Sequence, residues 1–351
     1  MRKCMTIVAV VAMVLTCVSG AQADVVMETV TVGNPGNTGE WSGESYGGGG
    51  PDALVGAVDY ACNIGTYEVT AGQYRDFLNA VCPTGSNPYG LHSQYMDILP
   101  RGCQITWNAE SSTWDFSGRP SGTEADWVHR PVNYVNWGDA ARFANWMHNG
   151  QPTGELTGDP IQDGWLTEDG SYFLDGATSG ADLMAIARES GATWVIPSED
   201  EWYKAAYHYN DGPTGNYFDY PTSSDSVPSN DLVDPDPGNN ATFYASGFTI
   251  DDPYWRTEVG AHGNSESPYG TFDQGGNVWE WNETAIGSYR GQRGGSLYNY
   301  SSALHAADRT YYHHPTSQLD RVGFRLAYVP EPATIALLAF GAVSVLGRRR
   351  R

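Results

Sequence analysis

The chain has 351 residues and a formal net charge of −22 at pH 7. A surface this acidic repels phosphate backbones, which argues against nucleic acids as partners. Apolar residues make up 40% of the sequence and aromatic residues 13%, enough for a large core, so disorder throughout is excluded. Charged residues are only 17%, which excludes a coiled coil, and 42 glycines with 20 prolines predict many turns.

The first 23 residues have the pattern of a secretory signal peptide. Arg2 and Lys3 precede an apolar stretch from Ile7 to Val18, and Ala21-Gln22-Ala23 gives a small-x-small cleavage site. A membrane anchor is the alternative, but the apolar run is short for a span. The sequence therefore predicts export.

The body of the chain is predicted to be one domain over residues 58–328, preceded by a loose lead-in. Residues 24–57 are rich in Gly, Asn and Ser and include four consecutive glycines, so they are expected to lie outside the core. Residues 150–180 and 210–275 show little periodicity and are rich in Gly, Pro and polar residues. Loops of that length in a compact domain are usually organised by ligands or metals.

Three helices are predicted from apolar residues spaced three and four apart, each starting at a capping residue. A short strand, Trp194–Ile196, ends at Pro197 just before the third helix. In the second and third helices an acidic residue three positions after the cap completes a capping box. The caps are Thr70, Asn136 with Asp139, and Ser198 with Glu201. The third helix is expected to bury Trp202, Ala205, Ala206 and Tyr209.

Three cysteines remain once the predicted signal peptide is set aside, namely Cys62, Cys82 and Cys103. An odd number cannot all pair within one chain. A bridge between Cys82 and Cys103 is compatible with an oxidising compartment, although nothing in the spacing requires it. The eight histidines are scattered, and the neighbours His313 and His314 cannot both face one ion from a regular strand or helix. Common motifs for serine hydrolases, zinc proteases, P-loops and dinucleotide binding do not occur.

Residues 329–351 have the order of a sorting signal. Pro330, Glu331 and Pro332 precede an apolar run that ends in four arginines, Arg348–Arg351. This order resembles the PEP-CTERM signal of bacterial envelope proteins. The resemblance implies an exosortase-type partner that removes the tail and retains the domain at the cell surface. A plain tail anchor in the membrane is the alternative, since positive charge after a short apolar helix stays on the cytoplasmic side. Both readings place the domain outside the cytoplasm.

Six segments, in this order along residues 58–328, carry a second resemblance. They are Tyr67-Glu68-Val69-Thr70, Pro131-Val132-Asn133-Tyr134-Val135-Asn136-Trp137, Ile196-Pro197-Ser198-Glu199-Asp200-Glu201-Trp202, Gly276-Asn277-Val278-Trp279-Glu280-Trp281, Arg293-Gly294-Gly295-Ser296 and Gly323-Phe324-Arg325. Each string alone is weak, but their order is specific. The chain resembles the formylglycine-generating, or sulfatase-modifying factor, family. The resemblance implies an α+β fold of the elaborated C-type-lectin-like kind, loop-rich, with short helices and twisted antiparallel strands.

Oxidases of that family hold copper between two cysteine thiolates and convert a substrate cysteine to formylglycine. Soft thiolates suit cuprous ion. In the family motif the cysteines lie three and eight residues after the Ser of Arg-Gly-Gly-Ser, where this sequence has Asn299 and Leu304. Neither side chain can hold copper(I), so the sequence predicts that the oxidase activity is absent and that copper is not a cofactor. Whether the chain has another catalytic activity stays open.

The rest of the implied pocket consists of Trp279, Ser296 and three arginines, Arg293, Arg309 and Arg325. Two readings of the arginines are open, contact with a substrate or bidentate pairing with the abundant carboxylates, and the second is favoured.

Calcium is the cofactor that the resemblance implies, because loop carboxylates and carbonyls suit a hard cation. One site would use the side chains of Asp273 and Glu280 with the carbonyls of Gly276 and Val278. A second, less securely aligned, would use Asn240, Ala241, Asp252 and Tyr254. The alternative for Glu280 is a buried carboxylate bonded to backbone amides.

The sequence thus predicts an exported, envelope-anchored and calcium-stabilised domain that binds a protein or polysaccharide ligand without copper oxidation. Two alternatives remain. One is an enzyme of the same superfamily with different oxidative or maturation chemistry. The other is a carbohydrate-binding, lectin-like module, which the abundance of Trp and Tyr permits. Exposed aromatic residues in a concave site would favour sugar binding, and a closed pocket around Ser296 would favour catalysis.

Overall fold

The structure is a computed structural model that describes residues 24–309 and 313–330. The predicted signal peptide and the part of the sorting motif from Glu331 onward lie outside the described residues. The helices are α1 (Ala71–Val81), α2 (Tyr95–Ile98), α3 (Ala125–Val128), α4 (Trp137–His148), α5 (Pro160–Asp163), α6 (Gly180–Ala185) and α7 (Glu199–Tyr207). Short 3-10 helices span Glu44–Tyr46 and Ser301–Leu304, and a π-helix spans Gly164–Glu168.

The strands are equally short. They are β1 (Thr29–Val32), β2 (Glu40–Ser42), β3 (Ala53–Val55), β4 (Cys62–Gly65), β5 (Thr106–Asn108), β6 (Thr113–Asp115), β7 (Trp194–Val195), β8 (Trp279–Ile286), β9 (Tyr289–Arg293), β10 (Val322–Gly323) and β11 (Ala327–Tyr328). They form a four-stranded sheet in the order β1-β4-β11-β7, a three-stranded sheet β10-β8-β9, and the hairpins β2-β3 and β5-β6. The pairings are antiparallel, as predicted, except that β10 runs parallel to β8.

The three predicted helix starts are confirmed. Thr70, Asn136 and Ser198 each accept a hydrogen bond from the third residue of their helix, and each has a reciprocal capping-box bond. In α7, Trp202, Ala205 and Ala206 are buried as expected. The helix ends at Tyr207, however, so Tyr209 lies beyond it and is only half-buried.

Aromatic side chains from α1 and α4 form the centre of the core. Phe77 lies 5.3 Å from Phe143 and 5.2 Å from Trp146 between ring centroids, and Phe324 packs 5.5 Å from Phe143. Tyr74 stacks on the same cluster and donates to the carbonyl of Leu91 at 2.8 Å. These apolar spacings therefore pack α1 and α4 against each other and against Phe324, which lies between β10 and β11.

Part of the segment expected to be a loose lead-in belongs to the core instead. Strand β1 pairs with β4 in the four-stranded sheet, and Val32 is fully buried. Ser42, in β2, is also fully buried and donates to the carbonyl of Ala306 at 2.8 Å. The glycine-rich composition of residues 24–57 predicts turns, but it does not predict the long-range strand pairing that holds this segment in the fold.

The long segment 210–275, all of it described, contains no helix or strand and is organised by side-chain hydrogen bonds. Asp236 accepts from the side chains of Asn240 (2.6 Å) and Ser265 (2.7 Å) and from the backbone amides of Gly238 and Asn264. Burial would raise the pKa of Asp236, but these four donors lower it to about 2. The ionised carboxylate of Asp236 thus stabilises a segment that has no helix or strand.

Cys62, Cys82 and Cys103 are all buried and none forms a disulfide. Burial raises the pKa of Cys62 and of Cys82 to about 12, so these thiols stay protonated at neutral pH. Within the described ranges, the helices are too short or too polar to cross a membrane.

Candidate functional site

An open cavity of about 400 Å³, here called the Trp279 cleft, lies at the start of β8. Trp279 is 3% exposed, and its amide donates to the carbonyl of Arg321 at 2.8 Å, just before β10. Other lining residues include Tyr298, Asn299, Tyr300, His313 and Arg321. The parallel pairing of β8 with β10 therefore brings distant parts of the chain to one site.

Two glycines in the turn after β9 place the Ser296–Tyr300 segment at the cleft. Gly294 has a φ of 98°, and a Cβ there would lie 2.5 Å from the carbonyl oxygen of Gln274. Gly295 also has a positive φ, of 77°. Residues with side chains would be strained in both positions, which explains the Gly-Gly pair.

The two positions expected to carry copper cysteines differ in environment. Asn299 lines the cleft and accepts a hydrogen bond from the buried Ser296 hydroxyl at 2.7 Å. Leu304 is fully buried in an apolar cluster with Tyr220, Ala241 and Phe243. One position is therefore a polar cleft residue and the other belongs to the core.

No thiol among the three described cysteines lines the cleft. Soft sulfur ligands are the requirement for cuprous ion, and the cleft offers one imidazole, that of His313, with an amide, a carboxylate, hydroxyls and aromatic rings but no thiolate. The residues present therefore do not fit copper(I).

Arg293 and Arg309 form an ion-pair cluster with Glu199, the first residue of α7. Arg293 donates to Glu199 Oε1 at 2.8 and 3.0 Å, and Arg309 donates to both Glu199 oxygens at 2.7 Å. All three side chains are buried. Burial would raise the pKa of Glu199, but the two guanidinium groups outweigh it and hold this pKa below its ordinary value.

Arg325 forms a second buried ion pair, with Glu280. Its Nε and Nη2 atoms each approach a different Glu280 oxygen at 2.6 Å, and Trp202 Nε1 donates to Glu280 Oε2 at 2.7 Å. Arg325 also donates to the carbonyls of Gly65 and Phe272. Thus Arg293, Arg309 and Arg325 pair with carboxylates and do not line the cleft.

The predicted calcium ligand Glu280 is therefore already fully bonded. Asp273 accepts from the amide of Gly260 at 2.6 Å, and burial raises the pKa of Asp273 to about 6. Within the described ranges, no three or more His, Cys, Asp or Glu side chains are grouped to hold a metal ion. Both oxygens of Glu280 are bonded to the guanidinium of Arg325. A carboxylate paired in this way does not fit the role of a calcium ligand.

The residues of the second predicted calcium set, Asn240, Ala241, Asp252 and Tyr254, have different surroundings. Asn240 is buried and bonded to Asp236, whereas Asp252 is exposed. The ring of Tyr254 packs 4.1 Å from the guanidinium of Arg130.

Aromatic residues that belong to none of the family segments also lie at the cleft. Tyr300 is 65% exposed and lies 5.5 Å from Tyr244, whose amide donates to the carbonyl of Asn299. Tyr298 packs against Phe248 and donates to Asp320 at 2.6 Å. Tyr298 and Tyr300 flank Asn299 in sequence. Tyrosines on both sides of that position were the sequence signal that could have indicated an aromatic cleft.

His313 and Arg321 give the cleft its polar side. Burial, with the positive charge of Arg321 nearby, lowers the pKa of His313 to about 4, so this ring is neutral at neutral pH. The ring contacts Gln292 at 2.5 Å. Together with Asn299, His313 and Arg321 can form hydrogen bonds with a ligand. The described residues that line the cleft include no activated nucleophile.

The family profile of the sulfatase-modifying factor enzyme 1-like domain matches residues 33–329. The chain belongs to this family. The match begins inside the segment that the sequence had suggested was a lead-in. A second profile, for the PEP-CTERM protein-sorting motif, matches residues 329–351 of this sulfatase-modifying factor family member. Both resemblances are thereby confirmed. Among curated proteins, no sequence matches.

Solved structures similar to this family member have low sequence identity. Treponema denticola variable protein 1 is 19% identical with a TM-score of 0.52, over 88% of this chain and 97% of that one. CarF is 17% identical with a TM-score of 0.43, over 86% and 98% of the chains. PvdO from Pseudomonas aeruginosa is 17% identical with a TM-score of 0.44, over 86% and 91%. With the family match, the first of these confirms the α+β, C-type-lectin-like fold.

Proposed function

We propose that this protein is an exported, envelope-sorted member of the sulfatase-modifying factor family that binds a ligand in the Trp279 cleft without copper oxidation. The sorting-motif match supports recognition by an exosortase-type enzyme, with the domain retained at the cell surface after the tail is processed. The observation that carries the proposal is the pair Asn299 and Leu304, one lining the cleft and the other buried in the core.

The shape and lining of the cleft support binding. Its volume of about 400 Å³ lies in the range of small-ligand sites. Trp279 and Tyr298 supply rigid aromatic surface, and Asn299, His313 and Arg321 supply hydrogen-bonding groups around it. By contrast, the Ser296 hydroxyl is buried and bonded to Asn299, which does not favour catalysis at that residue.

Copper titration tests the loss of the oxidase site. The natural chain is expected to bind no cuprous ion in the cleft, because an amide and an isobutyl group replace the thiolates. The Asn299→Cys/Leu304→Cys variant is expected to bind copper(I) more tightly than the natural chain. A single Leu304→Cys variant is the matched control, since one buried thiol lacks its partner. Cuprous binding by the natural chain that is as tight as binding by the double variant would contradict the proposal.

A polysaccharide ligand is a second candidate, favoured by the exposed aromatic rings near the cleft. Tyr300 is 65% exposed, and Trp41 and Tyr46 stack with centroids 5.8 Å apart while 51% and 47% exposed. The segment that follows Tyr46 lies next to the cleft residue Asp308, because the backbone amide of Arg309 donates to the carbonyl of Gly49 at 2.8 Å. Aromatic faces stack on the apolar faces of sugar rings.

Glycan binding measured on the purified domain tests this ligand class. The Tyr300→Ala variant is expected to lose about fivefold in affinity, because one stacking contact is worth about 1 kcal/mol. Phe173→Ala is the control, since Phe173 is 54% exposed and does not line the cleft. Equal glycan affinity in the Tyr300 and Phe173 variants would contradict polysaccharide binding at the cleft.

A further inference from the structure

A second cavity, of about 550 Å³, lies beside α1 and shares no lining residue with the Trp279 cleft. It is here called the α1 cavity. Its walls come from the segment before β1, the segment Tyr67–Thr70, the first turns of α1, the end of α3 and Glu258 with Val259. Nothing in the proposed function uses it.

Glu68 lines the α1 cavity, and no side chain of another described residue is bonded to its carboxylate. Its side chain is 1% exposed, and neither carboxylate oxygen has a hydrogen-bond partner in another described residue. Buried carboxylates are normally bonded or paired, because an isolated buried charge is costly. An unbonded carboxylate at a cavity wall therefore points to a ligand that supplies the missing donors.

The protein's own cation near Glu68 is committed elsewhere. Arg325 is close enough to act on Glu68 electrostatically, but its guanidinium is bonded to Glu280 and to backbone carbonyls. Asp273 and Glu280 add negative charge next to Glu68. The cavity itself is lined by four carboxylates, Glu28, Glu68, Asp76 and Glu258, and by one arginine, Arg75, which already pairs with Asp76 and Glu124.

The rest of the α1 cavity combines acidic and apolar surface. Glu28 and Glu258, which are exposed, stand at the cavity in addition to the buried Glu68, and Glu258 also lies 3.8 Å from the guanidinium of Arg130. Apolar lining comes from Val26, Met27, Val128 and Val259. Acidic groups at both a buried and an exposed position, with apolar surface around them, match a ligand with separated positive charges on an alkyl chain.

A bare metal ion fits this cavity less well than an organic cation. The described residues contain no group of three or more His, Cys, Asp or Glu side chains arranged for a metal. The volume of about 550 Å³ is also far larger than an ion with its ligands requires, and typical of a small organic molecule.

We propose that the α1 cavity binds a linear polyamine, with one ammonium group bonded to Glu68 and another near Glu28 and Glu258. An ammonium group offers three donors, enough to satisfy both oxygens of Glu68. The methylene chain between the ammonium groups removes apolar surface from water against the valine and methionine side chains.

Isothermal titration calorimetry of spermidine into the mature exported chain tests this site. We expect saturable binding that weakens at least tenfold in Glu68→Gln. Glu28→Gln, at an exposed residue whose change leaves the core intact, is expected to weaken binding several-fold and serves if Glu68→Gln does not fold. Glu110→Gln, in the exposed turn between β5 and β6, is the control and should bind as the natural chain does.

Butylamine, which has an alkyl chain but one ammonium group, is expected to bind more weakly than spermidine. Three results would overturn the proposal. One is absence of heat at millimolar spermidine. Another is equal affinity in the natural chain and in the Glu68 and Glu28 variants, which would mean general attraction to an acidic surface. The third is calcium binding at this site that displaces spermidine.

Discussion

Replacing Glu199 with Gln is expected to lower the free energy of unfolding by about 3–5 kcal/mol. The substitution keeps the size of the side chain and removes its charge. It leaves the guanidinium groups of Arg293 and Arg309 buried without a counter-charge, at the point where α7 meets the turn after β9. Urea unfolding followed by tryptophan fluorescence measures the change.

The Glu110→Gln variant is the matched control for Glu199→Gln, because Glu110 is exposed, and it should change stability by less than about 0.5 kcal/mol. Because the folded-state pKa of Glu199 is depressed, its contribution is present above the unfolded-state pKa and is lost as pH falls through the folded value. Equal stability of the Glu199 and Glu110 variants would show that the cluster is not stabilising.

Replacing Arg325 with Met is expected to destabilise the fold by a similar amount, about 3–5 kcal/mol. Arg325 is the cation bonded to Glu280, and Glu68 and Asp273 lie within its electrostatic reach. Without it, three buried carboxylates share one region. Arg119→Met is the control, since Arg119 bonds to the backbone near the surface. Thermal unfolding of both variants measures the difference.

The effect of calcium on the melting temperature distinguishes an ion pair between Arg325 and Glu280 from the calcium site that the family resemblance implies. If Arg325 is the counter-charge of Glu280, chelation should leave the melting temperature of the natural chain unchanged. A ligand that binds only the folded state raises the melting temperature by mass action. A calcium-dependent rise that disappears in Glu280→Gln would contradict the ion-pair account and restore calcium at this position.

Local features of the fold could be predicted from the sequence. The capping boxes at Asn136 and Ser198 depend on residues three positions apart, so the chain itself specifies where α4 and α7 begin. The pairing of β1 with β4 joins partners 30 or more residues apart across a glycine-rich segment, and composition does not encode it. The family motifs located Trp279 at the cleft and gave the fold class.

The site could be predicted only in part, because it is assembled from distant segments. The motif spacing identified Asn299 and Leu304, but only the structure shows that Leu304 packs in an apolar cluster. The abundance of carboxylates indicated that the arginines would pair, yet the choice of Glu199 for both Arg293 and Arg309 spans about a hundred residues. Glu68 lies in one of the family segments and His313 in a histidine pair, but the sequence did not show their importance, since it comes from burial and from missing or distant partners.

The measurement that tests the central claim most directly is conversion of a cysteine peptide. The natural chain is incubated with copper(I), oxygen and a peptide carrying a sulfatase-type cysteine, and mass spectrometry follows the peptide. The account predicts that the cysteine stays unchanged, because the cleft offers Asn299 and no thiolate among its described lining residues. Appearance of formylglycine in the peptide would contradict the account, since another set of residues would then have to hold the metal.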